Sequence, residues 1–229
     1  MKTIGLIGGL SWQSSIDYYR LINQDAQRRL GGHHNARSVM VSVDFADAES
    51  MMRAGDWDGL TRLLVDAGRR VEAAGADLVL LCTNTMHKLA APLQDALTIP
   101  LLNIIDAAAA AVRDAGLSRV ALLGTRFVMR EDFYVRRLAD GGVQALVPDA
   151  PDQAEVDRII FEELTRGRIS DDARQSYLRV IDRLKQQGAQ GVLLGCTEIG
   201  LLLKQVDCAL PLFDTTAIHA RAAVDLALG

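Results

Sequence analysis

Gly75-Ala76-Asp77-Leu78-Val79-Leu80-Leu81-Cys82-Thr83 is matched further along the chain by Gly188-Ala189-Gln190-Gly191-Val192-Leu193-Leu194-Gly195-Cys196. In each copy a glycine turn enters a run of Val and Leu, as a buried parallel strand would, and the run ends in polar residues. Two more pairs keep the same order. Ile4-Gly5-Leu6-Ile7-Gly8-Gly9 matches Val120-Ala121-Leu122-Leu123-Gly124-Thr125, and Ile99-Pro100-Leu101-Leu102-Asn103 matches Leu210-Pro211-Leu212-Phe213-Asp214. The separation between partners barely changes across the three pairs, so the chain reads as a duplication.

Working outward, the apolar runs predict strands at residues 3–7, 38–43, 77–81, 101–104, 119–123, 145–148, 191–194 and 212–213. Helical spacing fills most of the gaps, at 14–30, 59–74, 105–115, 130–140, 154–166, 171–187 and 216–228. Gly31-Gly32 stops the first helix as a C-cap does. Strands alternating with helices give the α/β class: two pseudo-symmetric lobes, each a parallel β-sheet flanked by helices. Open parallel sheets bind ligands beyond the carboxyl ends of their strands, so the active site is expected in the cleft between the lobes.

Composition narrows the function. The 229 residues are 49% hydrophobic and 24% charged, with a mean hydropathy of +0.12, values of an ordinary globular protein. A net charge of −4 and scattered basic residues offer no phosphate-neutralising stripe, which argues against nucleic acid as a partner. No apolar run reaches the roughly 18 residues of a spanning helix, and the start MKTIGLIGGLSW lacks the features of a signal peptide, so no membrane association and a cytoplasmic location are expected. Cys82, Cys196 and Cys208 are odd in number and widely spaced, which suits reduced thiols better than disulfides. His33, His34, His87 and His219 form no metal-ligand spacing with them, so no metal is expected.

The repeat sets Thr83 opposite Cys196 at two equivalent strand ends. Asn84 and Thr85 then face Thr197 and Glu198, polar residues that can open a helix and turn backbone N–H groups toward a carboxylate. Inverting a stereocentre needs one group to remove the α-proton and another to return it on the opposite face. A thiol suits the first role, since a helix N-terminus lowers its pKa from about 8.5 toward neutrality. A threonine hydroxyl donates or relays a proton far more readily than it abstracts one from carbon.

Each of these residues also has a structural explanation. Cys208 reads as an inert core thiol. Cys82 should turn into the core if its neighbour Thr83 faces out, because side chains alternate along a strand. His87 lies one helical turn beyond Thr83 and either reaches the site or caps local structure; both readings stay open. Gly5-x-x-Gly8-Gly9 lacks the dinucleotide spacing and reads as a tight turn presenting Gly9, Leu10 and Ser11 to a carboxylate, with Thr125 as the counterpart. The alanine run 107–111 reads as a closely packed helix. Met51-Met52-Arg53 precedes Gly55 in a loop or short helix and reads as a mobile flap or as carrying an Arg53 that helps bind a carboxylate.

From end to end, the chain resembles the aspartate/glutamate racemase family. The motifs are Ile4-Gly5-Leu6-Ile7-Gly8-Gly9-Leu10, Asn84-Thr85-Met86-His87, Ile160-Phe161-Glu162-Glu163-Leu164 and Gly195-Cys196-Thr197-Glu198. In the family a cysteine usually precedes the Asn-Thr pair; here Thr83 fills that slot and Cys82 is displaced by one. The chain is similar to the branch with a Thr/Cys pair, described as acting on L-aspartate and L-glutamate and, in some members, on other amino acids. The resemblance implies lobes of 1–98 plus 211–229 and of 99–210, a homodimer, and neither pyridoxal phosphate nor metal. It makes Thr83 and Cys196 the catalytic pair on an amino-acid substrate. Where other aspartate racemases carry a basic residue just before the second-lobe glycine, Thr165 stands two before Gly167 and Arg166 is adjacent to it. Two rivals need less of the site: a one-cysteine decarboxylase or isomerase, which needs Cys196 alone, and a non-catalytic binding protein for acidic amino acids.

Overall fold

The eight apolar runs become strands wherever two glycine- or proline-bounded segments can pair in parallel. In the computed structural model, which describes residues 1–229, the chain divides into two units. Unit one comprises Met1–Asn103 with His219–Gly229, and unit two comprises Ile104–Ile218.

Unit one runs β1 (Ile4–Gly8), α1 (Trp12–Leu30), β2 (Ser38–Ser42), α2 (Phe45–Ala54), α3 (Trp57–Ala73), β3 (Leu78–Leu81), a 3-10 turn (Thr85–Leu89), α4 (Ala90–Asp95) and β4 (Leu101–Leu102). Unit two continues with α5 (Ile104–Asp114), β5 (Arg119–Gly124), α6 (Arg126–Arg130), α7 (Asp132–Asp140), β6 (Gln144–Leu146), α8 (Ala150–Glu162), α9 (Asp171–Gln186), β7 (Gly191–Gly195), α10 (Ile199–Leu202) and β8 (Leu212–Asp214). Helix α11 (Thr215–Leu228) begins in unit two and contributes its later residues to unit one. The first sheet has the order β2-β1-β3-β4 and the second β6-β5-β7-β8, all parallel. Each strand of one sheet thus occupies the place of its repeat partner in the other, which is the duplication written in backbone.

These pairings move the divisions expected from sequence. Leu101 and Leu102 pair with Val79 and Leu80, so β4 belongs to the first sheet; Leu212–Asp214 pairs with β7, so β8 belongs to the second. The chain therefore changes unit at 103/104 and 218/219, instead of 98/99 and 210/211. The expected strands and helices all form, with ends shifted by a few residues. Helix α2 occupies the segment around Met51-Met52-Arg53: Asp44 caps its start by accepting from Ala46 N–H at 2.9 Å, and Gly55 closes it in the left-handed conformation.

Side-chain alternation sorts each sheet into two faces. In unit two, Ala121, Leu123, Val192 and Leu194 pack with α8 and α9 residues such as Ile159, Tyr177 and Ile181. Val120, Leu122, Leu193 and Phe213 face the other way, onto Ile105, Ala109 and Leu138. In unit one, Ile4, Leu6, Leu78, Leu80 and Cys82 share one face with Tyr18 and Ile22 of α1 and with Ala220, Ala223, Val224 and Ala227 of α11.

Leu80→Ala, at a fully buried position, is expected to lower unfolding free energy by about 2–5 kcal/mol. Val206→Ala, at a residue 94% exposed, is expected to stay within about 0.5 kcal/mol. Urea denaturation of the two variants beside the parent checks both.

Candidate active site

Parallel pairing sets the turn residues of each unit side by side. In unit one β1 ends at Gly8 next to the end of β3, and Cys82 N–H donates to Ile7 C=O at 3.0 Å. Cys82 is fully buried among Leu6, Leu78 and Leu80, and that burial pushes its thiol pKa far up. Thr83 follows it and is partly exposed. Its N–H donates to Leu81 C=O at 2.8 Å, and its own C=O accepts from His87 Nδ1 at 2.7 Å. Asn84 and Thr85 are buried and lead into the 3-10 turn, with Asn84 C=O accepting from His87 N–H at 3.1 Å.

The glycine turn after β1 is built as a tight corner. Gly9 has φ +81, and a Cβ there would lie 2.0 Å from Val43 O, so only glycine fits. Its N–H donates to Ser15 Oγ at 2.9 Å. Of the three turn residues singled out from sequence, Gly9 thus has its N–H already engaged. Leu10 and Ser11 lie buried beside it. Ser11 caps α1, its Oγ accepting from Ser14 N–H at 3.3 Å, and adopts φ +126, a strained value for a residue with a Cβ.

Two residues in unit one had no signal in the sequence. His219 of α11 is fully buried; its Nε2–H donates to Leu102 C=O at 2.9 Å, and its Nδ1 accepts from Tyr18 O–H at 2.8 Å. The carbonyl can only accept, which fixes that tautomer. Burial, and after it His87, holds the His219 pKa down at about 3, so its ring is neutral. The His87 ring meets it edge-on, with centroids 5.8 Å apart and planes at 70°. His87 therefore does cap local structure, on the residue of interest.

In unit two Gly124 and Gly195 are register partners, so Thr125 and Cys196 follow adjacent strand ends. Thr125 caps α6, accepting from Val128 N–H at 3.4 Å. Cys196 is 8% exposed, and its Sγ–H donates to Glu198 Oε2 at 3.1 Å. Thr197 Oγ1–H donates to the same oxygen at 2.8 Å. Oε1 of Glu198 is buried without a hydrogen-bond partner. Burial first, and then the Glu198 charge, push the Cys196 thiol well above the usual range, opposite to the expected lowering. The reason is local: the thiol is buried, the Glu198 carboxylate lies against the sulfur, and α10 after it is a single turn with little dipole to offer.

Arg53, a candidate carboxylate ligand, donates instead to Glu49 Oε1 at 2.6 Å one turn back on α2. No group of three or more His, Cys, Asp or Glu is placed to hold a metal ion. No helix is long and apolar enough to cross a membrane.

The family model described as Asp/Glu/hydantoin racemase matches residues 7–223. The chain belongs to that family. Among solved structures, this racemase is similar over its whole length to a candidate Asp/Glu racemase from Yersinia pestis, with 47% identity, a TM-score of 0.93 and full coverage of both chains. It is likewise similar to an aspartate racemase homologue from Pyrococcus horikoshii OT3, with 33% identity, a TM-score of 0.87 and full coverage of both. A curated relative, the broad specificity amino-acid racemase RacX of Bacillus subtilis, is 22% identical over 169 residues, covering 74% of this chain and 73% of that protein. The racemase reading of the repeat and motifs is thereby shown, and the fold class with it.

Because Glu198 raises the thiol pKa, removing its charge must lower it. In a racemase carrying Cys82→Ser and Cys208→Ser, Glu198→Gln is expected to shift the rise of ultraviolet thiolate absorbance to lower pH. An unchanged titration midpoint would show that burial alone sets this thiol.

Proposed function

We propose that this amino-acid racemase inverts acidic amino acids, L-aspartate and L-glutamate first, with Cys196 as base on the L face and Thr83 as the opposing proton donor. The observation that carries the reading is the Cys196 Sγ–H···Glu198 Oε2 hydrogen bond, formed at the strand end equivalent to that of Thr83. A thiol whose pKa is raised needs an acceptor before it can act as a base. Glu198 Oε2 is that acceptor, since its partner oxygen is buried without a donor and the carboxylate is only half satisfied.

The steps balance. Cys196 passes its proton to Glu198, and the thiolate takes the α-proton from the L-enantiomer. The carbanion receives a proton from the Thr83 hydroxyl, which is reprotonated by water. The resulting hydroxide is neutralised by the proton held on Glu198. Backbone N–H groups at Leu10 and Ser11, with Asn84, Thr85, Thr125 and Thr197, are the groups at the strand ends that serve the substrate carboxylates. Enantiomers are equal in free energy, so the enzyme alters rates in the two directions and leaves the equilibrium constant at unity.

The acidic substrate class is supported by the family and by the aspartate racemase homologue; RacX supports a broader set. A panel of L-amino acids in deuterated water, followed by NMR of the α-proton, ranks them. Cys196→Ala is expected to lower exchange by about 10²–10⁴-fold or more, the usual worth of a general base. Thr83→Cys is expected to speed turnover of the D-enantiomer. Exchange by Cys196→Ala at the parent rate overturns the proposal.

A further inference from the structure

A hydroxyl that transfers a proton to carbon depends on placement more than a thiolate does. A thiolate carries its own charge, whereas a neutral hydroxyl hands on its proton only at hydrogen-bonding distance, so where its backbone is anchored decides whether it reaches. How unit one fixes Thr83 is therefore a functional question.

The Thr83 backbone is held at both ends. Its N–H is bonded to Leu81 C=O, and its C=O is bonded by His87 Nδ1–H at 2.7 Å. The His87 ring in turn rests against the edge of His219, which is pinned by Leu102 C=O on one side and Tyr18 O–H on the other. Tyr18 and His219 are fully buried and His87 is 4% exposed. Three separate elements, β4, α1 and α11, thus stand behind the one side chain that bonds the Thr83 carbonyl. Unit two has no such device: by the repeat, Gly200 stands where His87 stands, and the Cys196 carbonyl accepts only from Ile199 N–H. The clamp accompanies the hydroxyl and is missing beside the thiol.

We infer that His87 is a positioning residue for Thr83, held in place by the buried Tyr18–His219–Leu102 hydrogen-bond chain, and that it governs return of the proton on the D face. The inference rests on the proposed roles of Thr83 and Cys196. His87 touches no reacting atom; it sets where the Thr83 hydroxyl sits.

The test separates abstraction from inversion. An L-amino acid is incubated in deuterated water, and two rates are followed: loss of the α-proton signal by NMR, and appearance of the D-enantiomer by chiral chromatography. When the donor is displaced, the carbanion formed at Cys196 exchanges with solvent and returns to L, so exchange outruns inversion. His87→Leu is expected to lower inversion by about 10²-fold, as a displacement of roughly 1 Å does, while exchange and KM stay close to the parent values. His87→Asn, which keeps a side-chain N–H near the Nδ1 position, is expected to recover much of the inversion. Tyr18→Phe removes one oxygen from the core and is expected to move the ratio the same way by a smaller factor; it replaces His87→Leu if that variant does not fold.

Equal loss of both rates in His87→Leu and Tyr18→Phe, or no change in their ratio, overturns the inference. Thr83→Val is run in parallel. A raised ratio in Thr83→Val with none in the His87 and Tyr18 variants sinks the clamp alone. An unchanged ratio in Thr83→Val sinks the assignment of Thr83, and the clamp with it.

Discussion

Parallel pairing between β5 and β7 ends at Gly124 and Gly195, and the same pairing between β1 and β3 ends beside Gly8. The chemistry depends on how closely those strand ends approach. A Cβ on Gly124 would lie 2.7 Å from Gly195 O, so that position admits no side chain without a shift, and one on Gly195 would sit tightly, 3.0 Å from Leu123 O. Removing the side chains lets the ladder continue to its last residue, and the next residue of each strand emerges at a fixed place. Thr125 and Cys196 are those residues in unit two; Gly9 and Thr83 follow the corresponding ends in unit one. The repeat puts Cys82 where Gly195 stands, and unit one accommodates its sulfur by burying it among Leu6, Leu78 and Leu80.

The two units share a backbone plan and differ in the side chains at their strand ends. Unit two joins a buried thiol to a buried carboxylate, the sulfur donating to the oxygen at 3.1 Å. In unit one the Thr83 carbonyl accepts from a buried imidazole. Behind that imidazole stand a second one, held neutral by burial, and a phenol bonded to it. On the shared plan, one strand end carries a thiol bonded to a carboxylate and the other a hydroxyl residue whose backbone carbonyl is bonded by an imidazole. A racemase working between unlike groups fits that difference, since the two directions need not run at equal rates.

Much of this was readable in the residues because the repeat is local in sequence. Strand runs, glycine turns and prolines recur in order, and each copy needs only its neighbours to be recognised. Side-chain alternation alone predicted that Cys82 turns inward, as it does. The unit boundary was harder, since Leu101-Leu102 and Leu212–Asp214 look equally at home in either sheet until their partners are known. Helix α2 is short, and its bounds are set by the caps Asp44 and Gly55. The Tyr18–His219 contact joins residues 201 positions apart, and no local pattern around either announces it. The raised thiol pKa was missed for a similar reason: the sequence shows Glu198 two residues away but not that its carboxylate is buried and pointed back at sulfur.

Ala220, Ala223, Val224 and Ala227 close the core of unit one, although they follow the whole of unit two in the chain. During synthesis, domains ordinarily fold in the order they leave the ribosome. Here the later-made unit is contiguous and has all its residues first, while the earlier one must wait, with part of its apolar surface uncovered, for a helix translated more than a hundred residues downstream. A nascent chain of this kind presents its amino-terminal half to chaperones for longer than its carboxyl-terminal half.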